Sequence, residues 1–360
     1  MTAPGVHGRT FTARQAFTAL AVLLTVVLVG LLVYLYWFLG RSEALPGVAG
    51  EPIAGVQRVW EVYGPGEGES PRFAGPMGVA VGTDDRIYVT DSGNNRVCVF
   101  DVRGRFQFEF GGFGVAKPSP GSPATYDAGE LNYPVGIDVD EEGNVYVASF
   151  YNDSIEVYDA DGTPLRRFPD PGTVVGRGGS GYGGRGIAVT DVAVRDGHVY
   201  ATDTYQVLVF TLDGELVDQW GKPGTGPGDL DHPNGIAVSE DGRTVYVSDS
   251  NHARVTAFSV DGTVLWQVGS LPEGTSAESG AELQLPRGIE VMPDGSLLVV
   301  DAFGFDIVCI SADGEVLARY GERGVECGQW NFANDASAVR GFVVVADKGN
   351  GRIQLVRLID

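Results

Sequence analysis

The segment Asp231 to Gly269 constrains this chain more than any other. His232-Pro233-Asn234-Gly235-Ile236-Ala237-Val238 is followed by an acidic turn ending in Gly242, then by Val245-Tyr246-Val247-Ser248-Asp249. A polar corner, Ser250 to Arg254, leads into Val255-Thr256-Ala257-Phe258, and Asp261-Gly262 turns the chain back into Val264 to Val268. Four short runs rich in β-branched and aromatic residues, parted by Gly- and Asp-bearing turns, predict an antiparallel meander. A lone meander cannot cover both of its faces, so it needs copies of itself. One copy runs from Pro76 to Phe110, a second from Pro134 to Phe168 and a third from Pro286 to Tyr320. A degenerate copy begins near Val189 and ends at Trp220, and a last one begins near Ala333. Together these make six four-stranded units, whose radial stacking buries both faces of each. The expected fold is therefore all-β, a six-bladed β-propeller.

The sixth unit runs out of chain after its third strand, Ile353 to Arg357. In other units the fourth strand closes on an aromatic and a glycine: Phe110-Gly111, Trp220-Gly221, Tyr320-Gly321. The same ending occurs upstream in Val59-Trp60-Glu61-Val62-Tyr63-Gly64. Val56–Tyr63 is thus expected to be the outer strand of the last blade, closing the ring with both chain ends and leaving no unpaired edge within it.

The units share further residues: Pro-x-Gly-Ile/Val, Val-Tyr-Val-x-Asp, then Asn-x-x-Arg or a variant, then Asp-Gly. Asp91-Ser92-Gly93-Asn94-Asn95-Arg96, Asp249-Ser250-Asn251-His252-Ala253-Arg254 and Asp347-Lys348-Gly349-Asn350-Gly351-Arg352 carry the pattern best. It resembles the NHL repeat, over about residues 56–360. The resemblance implies the propeller fold; for function it implies a wide range, from protein- or RNA-binding modules and extracellular sensors to hydrolases and lyases.

Upstream, residues 1–15 carry Arg9 and Arg14 and no acid, and Ala16 to Gly40 is an apolar run broken by Thr18 and Thr25. A run of this length spans about 30 Å of hydrocarbon. It exceeds the core of a cleavable signal peptide, and Tyr34, Tyr36, Trp37 and Phe38 form an aromatic belt where cleavage would fall. The expectation is a cytoplasmic tail (1–15), a transmembrane signal anchor (16–40), a Pro/Gly linker (41–55) and an extracytoplasmic propeller (56–360), oriented by the positive-inside bias.

Charge narrows the partners. With 25 Lys+Arg against 47 Asp+Glu and a net charge of −22, a basic face for nucleic acid is not expected. Much of the acid falls in hairpin turns such as Asp84-Asp85, Glu141-Glu142 and Asp213-Gly214, where turn chemistry explains it. Asp159-Ala160-Asp161-Gly162 begins like a calcium loop but lacks the later ligands. The three cysteines, Cys98, Cys309 and Cys327, suggest neither a disulfide framework nor a zinc site.

Two groups of residues stand out as candidate sites. Blade-to-blade crossings and the corners between second and third strands share one end of a propeller, and this chain's long insertions are all crossings. Phe150, Tyr151, Tyr205, Phe303 and Phe305 occupy corners there, and Asn234, Arg287, His232 and His252 reach the same end. As a group they predict a recognition surface for a protein, peptide or glycan ligand. The second group lies on the axis. Four blades begin with Gly78, Gly136, Gly235 and Gly288, but blades 3 and 6, opposite each other, carry Asp191 and Asp335 instead. Such a pair, with Glu290 beside it, fits a hydrated divalent cation such as calcium at the channel mouth, and with it a metal-dependent hydrolase or lyase. Alternatively, each Asp bonds backbone amides of its neighbouring blade, and this arrangement is the expected one. A peptide-amidating lyase, a related propeller, binds zinc through histidines; here only His232 and His252 reach the loop-rich end, so three converging histidines are not expected. Binding is the expected activity, with no resident cofactor.

Overall fold

The computed structural model describes residues 24–25, 27–31, 49–66, 72–114, 129–169, 188–269 and 283–359. The chain divides into two units, Met1–Leu45 and Pro46–Asp360. In the first, residues 24–25 and 27–31 are helical. Among the described residues no helix is long and apolar enough to cross a membrane; most of Ala16–Gly40 lies outside them.

The second unit is the six-bladed propeller. Blades 1 to 5 are four-stranded antiparallel sheets that begin at Pro76, Pro134, Asp191, Pro233 and Pro286 and end at Gly111, Phe168, Trp220, Gly269 and Tyr320. Each blade's first strand contacts that of the next, and blade 6 contacts blade 1, so the ring closes around a channel. The apolar core lies between blades: Val199, Ala201, Leu208 and Phe210 of blade 3, for example, pack on Tyr146, Ile155 and Phe168 of blade 2.

Blade 6 consists of Asp335–Val339, Phe342–Asp347 and Arg352–Leu358, completed by Val56–Val62 in antiparallel register, Val56 opposite Leu358 and Val62 opposite Ile353. Fully buried Arg352 joins the two chain ends, meeting Glu61 Oε2 at 2.6 Å and Asp347 Oδ2 at 2.8 Å. Part of the expected linker is itself structured. Ala49–Ile53 folds back on Val56–Val62 as a fifth strand, turned by Ala54-Gly55, whose carbonyls accept from Gly321 N and Ile359 N at 2.8 Å each. The outer edge of the closing strand offers unpaired amides, and the preceding residues satisfy them.

The shared motif acts as a lock. The Asp ending the second strand accepts the Arg side chain that opens the third, through a one-turn 3-10 corner. Asp91, Asp249 and Asp347 accept from Arg96, Arg254 and Arg352 Nε at 2.8–2.9 Å. Their other oxygens accept amides of the incoming crossing, Ala74, Asp231 and Asn331, at 2.7–2.9 Å. One buried carboxylate thus ties a corner to a crossing, and burial of the ion pair makes its geometry demanding.

Candidate functional site: the acid-lined channel and the loop-rich mouth

The first strands put one residue of each blade on the axis at two levels. The upper level is Gly78, Gly136, Asp191, Gly235, Gly288 and Asp335; the lower is Ala80, Asp138, Ala193, Ala237, Glu290 and Ser337. Asp191 faces Asp335 across the ring, and Asp138 faces Glu290, since blades 2 and 5 are also opposite. Reading along the axis missed Asp138; alternation along the first strand, two residues beyond Gly136, is the signal that points to it.

All four carboxylates bond the next blade. Asp138 Oδ2 accepts Val194 N at 2.7 Å, Asp191 Oδ2 accepts Ile236 N at 2.9 Å, Glu290 Oε1 accepts Ala338 N at 3.3 Å, and Asp335 Oδ2 accepts Val79 N at 2.9 Å. Ser337 Oγ also donates to Glu290 Oε1. The backbone-bonded arrangement is the one present. Asp191 and Asp335 also explain two glycines: a methyl group at Gly136 would fall on Asp191 Oδ1, and one at Gly288 on Asp335 Oδ1. Among the described residues no group of three or more His, Cys, Asp or Glu is placed to hold a metal ion.

These acids line a cavity of about 240 Å³ with Thr83, Glu141 and Arg195. Thr83 and Glu141 are exposed and belong to the tight hairpins. Asp191 and Asp335, expected at the channel mouth, therefore face a cavity that opens at the hairpin end. On the loop-rich side Met77, Val135, Thr190 and Asn334 are buried, and blade-to-blade bonds such as Thr190 Oγ1 to the Pro233 carbonyl at 2.6 Å and Asn334 Nδ2 to the Met77 carbonyl at 3.1 Å seal the ring. Withdrawal from water raises Asp138, Asp191, Glu290 and Asp335. Burial, with the opposing Asp138 charge, pushes Glu290 up to about 8; burial brings Asp335 to about 7 and Asp138 to about 6. Asp191 is raised well above the usual range by burial and by the charge of Asp335.

The loop-rich end carries the other candidates. Tyr151 and Phe303 are 40% and 51% exposed, His232 is exposed, and Phe150, Tyr205, Phe305, Asn234 and Arg287 are partly buried. They form local groups. Tyr151 packs on Phe150 and Tyr133, ring centroids 5.0 and 5.5 Å apart; Tyr205 meets His232 edge-on at 5.7 Å; Phe303 meets Phe332 at 5.3 Å; Phe305 lies under Arg323. His252 does not join them. Its Nδ1 lies 2.7 Å from Asp249 Oδ2, the place Asn94 and Asn350 fill in blades 1 and 6, so it belongs to the lock. Trp330, on the last crossing, is fully buried in the core between blades 5 and 6. Three of the long crossings lie largely outside the described residues.

The ring, the locks and the closing strand define a six-bladed β-propeller with NHL-type blades. Residues 73–100 match the NHL repeat, and residues 227–339 match the SMP-30/gluconolactonase/LRE-like region. Among curated proteins, protein brain tumor of Drosophila melanogaster is 27% identical over 130 residues; the alignment covers 27% of this chain and 12% of that protein. Among solved structures, a streptogramin B lyase superposes with a TM-score of 0.54 at 16% identity, covering 80% of this chain and 95% of that one. A gluconolactonase from Xanthomonas campestris gives 0.53 at 20% identity, covering 79% and 86%. At such identities the likeness is one of fold.

Proposed function

We propose that this propeller is a binding module that takes a protein, peptide or glycan ligand on its loop-rich end, held at the outer surface of a membrane by Ala16–Gly40. The observation that supports it is the set of partly exposed aromatic groups on short corners, with Tyr151 and Phe303 the most open. Aromatic side chains on rigid corners lose little conformational freedom on binding and bring large contact area. The test is capture of partners from membranes by the full-length protein and by a variant with Tyr151, Tyr205 and Phe303 all changed to Ala. The variant is expected to melt close to wild type and to lose the captured partner. A large fall in melting temperature, with capture retained by the folded fraction, assigns these rings to the core and overturns the reading.

A second reading, a hydrolase or lyase, is favoured by the channel cavity. Four facing carboxylates, Asp138, Asp335 and Glu290 raised to about 6, 7 and 8 and Asp191 raised well above its usual range, provide acid and base forms near neutral pH. A calcium-type cation bound there would act on those same oxygens. Its mark is a melting temperature raised by millimolar calcium and insensitive to calcium in Asp191→Asn/Asp335→Asn; turnover of lactone or ester substrates lost in Glu290→Gln would place the chemistry in the cavity.

A further inference from the structure

Two cations converge on one ring at the loop-rich end. Arg287 Cζ and Lys348 Nζ each lie 5.5 Å from the centroid of Phe332, with Phe303 edge-on to the same ring. Both cations are partly buried. Burial holds each below its usual range, and the charge of Arg287 lowers Lys348 further. In a chain with 47 acids, buried arginines elsewhere are matched: Arg96, Arg254 and Arg352 each bond an aspartate. Among the described residues Arg287 is not: its Nη1 donates to the neutral Asn234 Oδ1 at 3.2 Å, and its Nε is buried without an acceptor. The charge acting on Lys348 is that of Arg287. Like charges removed from water and lacking a counter-ion are unfavourable together, and an anion between them relieves both.

We propose that Arg287 and Lys348 form a binding site for an oxyanion, carboxylate or phosphate, on a ligand whose adjoining apolar or aromatic group lies against Phe332 and Phe303. The guanidinium supplies N–H donors for the charge-assisted hydrogen bonds that oxyanions accept, and the ammonium adds a point charge. This deepens the binding-module reading and rests on it: it names the chemistry that the loop-rich end selects. The site is separate from the channel acids, which face the cavity at the hairpin end.

The experiment titrates full-length protein with phenylacetate, phenyl phosphate and neutral benzyl alcohol, for wild type, Lys348→Met and Lys348→Arg, by calorimetry and saturation-transfer NMR. At least one anion is expected to bind and benzyl alcohol is not; the tighter anion identifies the ligand as carboxylate or phosphate. Lys348→Met is expected to weaken anion binding by about tenfold or more, the scale of a charge-assisted hydrogen bond, while Lys348→Arg retains it. Without ligand, Lys348→Met is expected to melt no lower than wild type, because it removes a repelling charge. Equal binding of benzyl alcohol, no anion binding, anion binding unchanged in Lys348→Met, or a lower melting temperature of that variant without ligand overturns the proposal. Absent anion binding beside partner capture that depends on Tyr151, Tyr205 and Phe303 removes this inference and leaves the binding module; anion binding with capture indifferent to those rings does the reverse.

Discussion

Asp335 is a cross-blade connector: one oxygen accepts Ala336 N of its own strand and the other Val79 N of blade 1, at 2.9 Å each. Asp335→Ala strands the buried Val79 amide and is expected to cost about 1–3 kcal/mol, read from chemical denaturation. Asp335→Asn keeps an acceptor for Val79 and removes the charge that raises Asp191, so its loss is expected to be clearly smaller. Equal losses for the two variants would show that charge, rather than the amide bond, is what this position contributes. Arg352 makes a stronger case. Its guanidinium serves Asp347, Glu61 and the carbonyls of Val325, Glu326 and Gln329. Arg352→Met leaves Asp347 buried with its main counter-charge gone, and about 3–5 kcal/mol of stability is expected to go with it.

At the scale of elements, the closing strand decides whether blade 6 exists as a sheet. Val56–Val62 pairs with Arg352–Leu358, and Trp60 Nε1 reaches across to the Val102 carbonyl of blade 1 at 3.0 Å. A chain starting at Gly64 loses this strand together with the fifth, and exposes the edge of Arg352–Leu358. It is expected to lose cooperative melting and to aggregate, whereas a chain starting at Pro46 keeps both. Identical melting of the two chains would refute closure by the N-terminal strands.

At the scale of the whole molecule, the channel acids couple stability to pH. An acid whose value is raised on folding holds its proton more tightly folded than unfolded. Its contribution is complete below the unfolded value, near 4, and is lost as pH rises through the folded one. With Asp138, Asp335 and Glu290 at about 6, 7 and 8, melting temperature is expected to fall between about pH 5 and 8. Glu290→Gln, which keeps an acceptor for Ala338 N, is expected to flatten that slope and to gain about 1–3 kcal/mol near pH 8. A slope unchanged in Glu290→Gln would assign it to other groups. The proposed anchor is tested separately: a cysteine placed between residues 44 and 48 is expected to react with an impermeant reagent on intact cells, and labelling only after permeabilisation would reverse the orientation.

The blade count, the strand order within each blade and the closing role of Val56–Tyr63 were legible in the sequence, because each rests on local pattern: alternation, turn residues and a repeated terminal pair. So was the amide-bonding role of Asp191 and Asp335, since a carboxylate replacing glycine at one place in a repeat must find donors nearby. Three things depended on the closed ring, and one on a folded corner. Asp138 becomes a partner of Glu290 only when blades 2 and 5 face each other, a relation with no sequence spacing of its own. His252 turns from ligand candidate to lock because Asp249 lies within reach after the corner folds. The first strands seal on the loop-rich side and leave the cavity open at the hairpins, which the packing of Met77, Val135, Thr190 and Asn334 determines. Lys348 and Arg287, 61 positions apart in the chain, meet over Phe332 only when blades 5 and 6 stack. Periodicity records what a residue does within its own blade; what it meets across a blade boundary is decided when the ring closes.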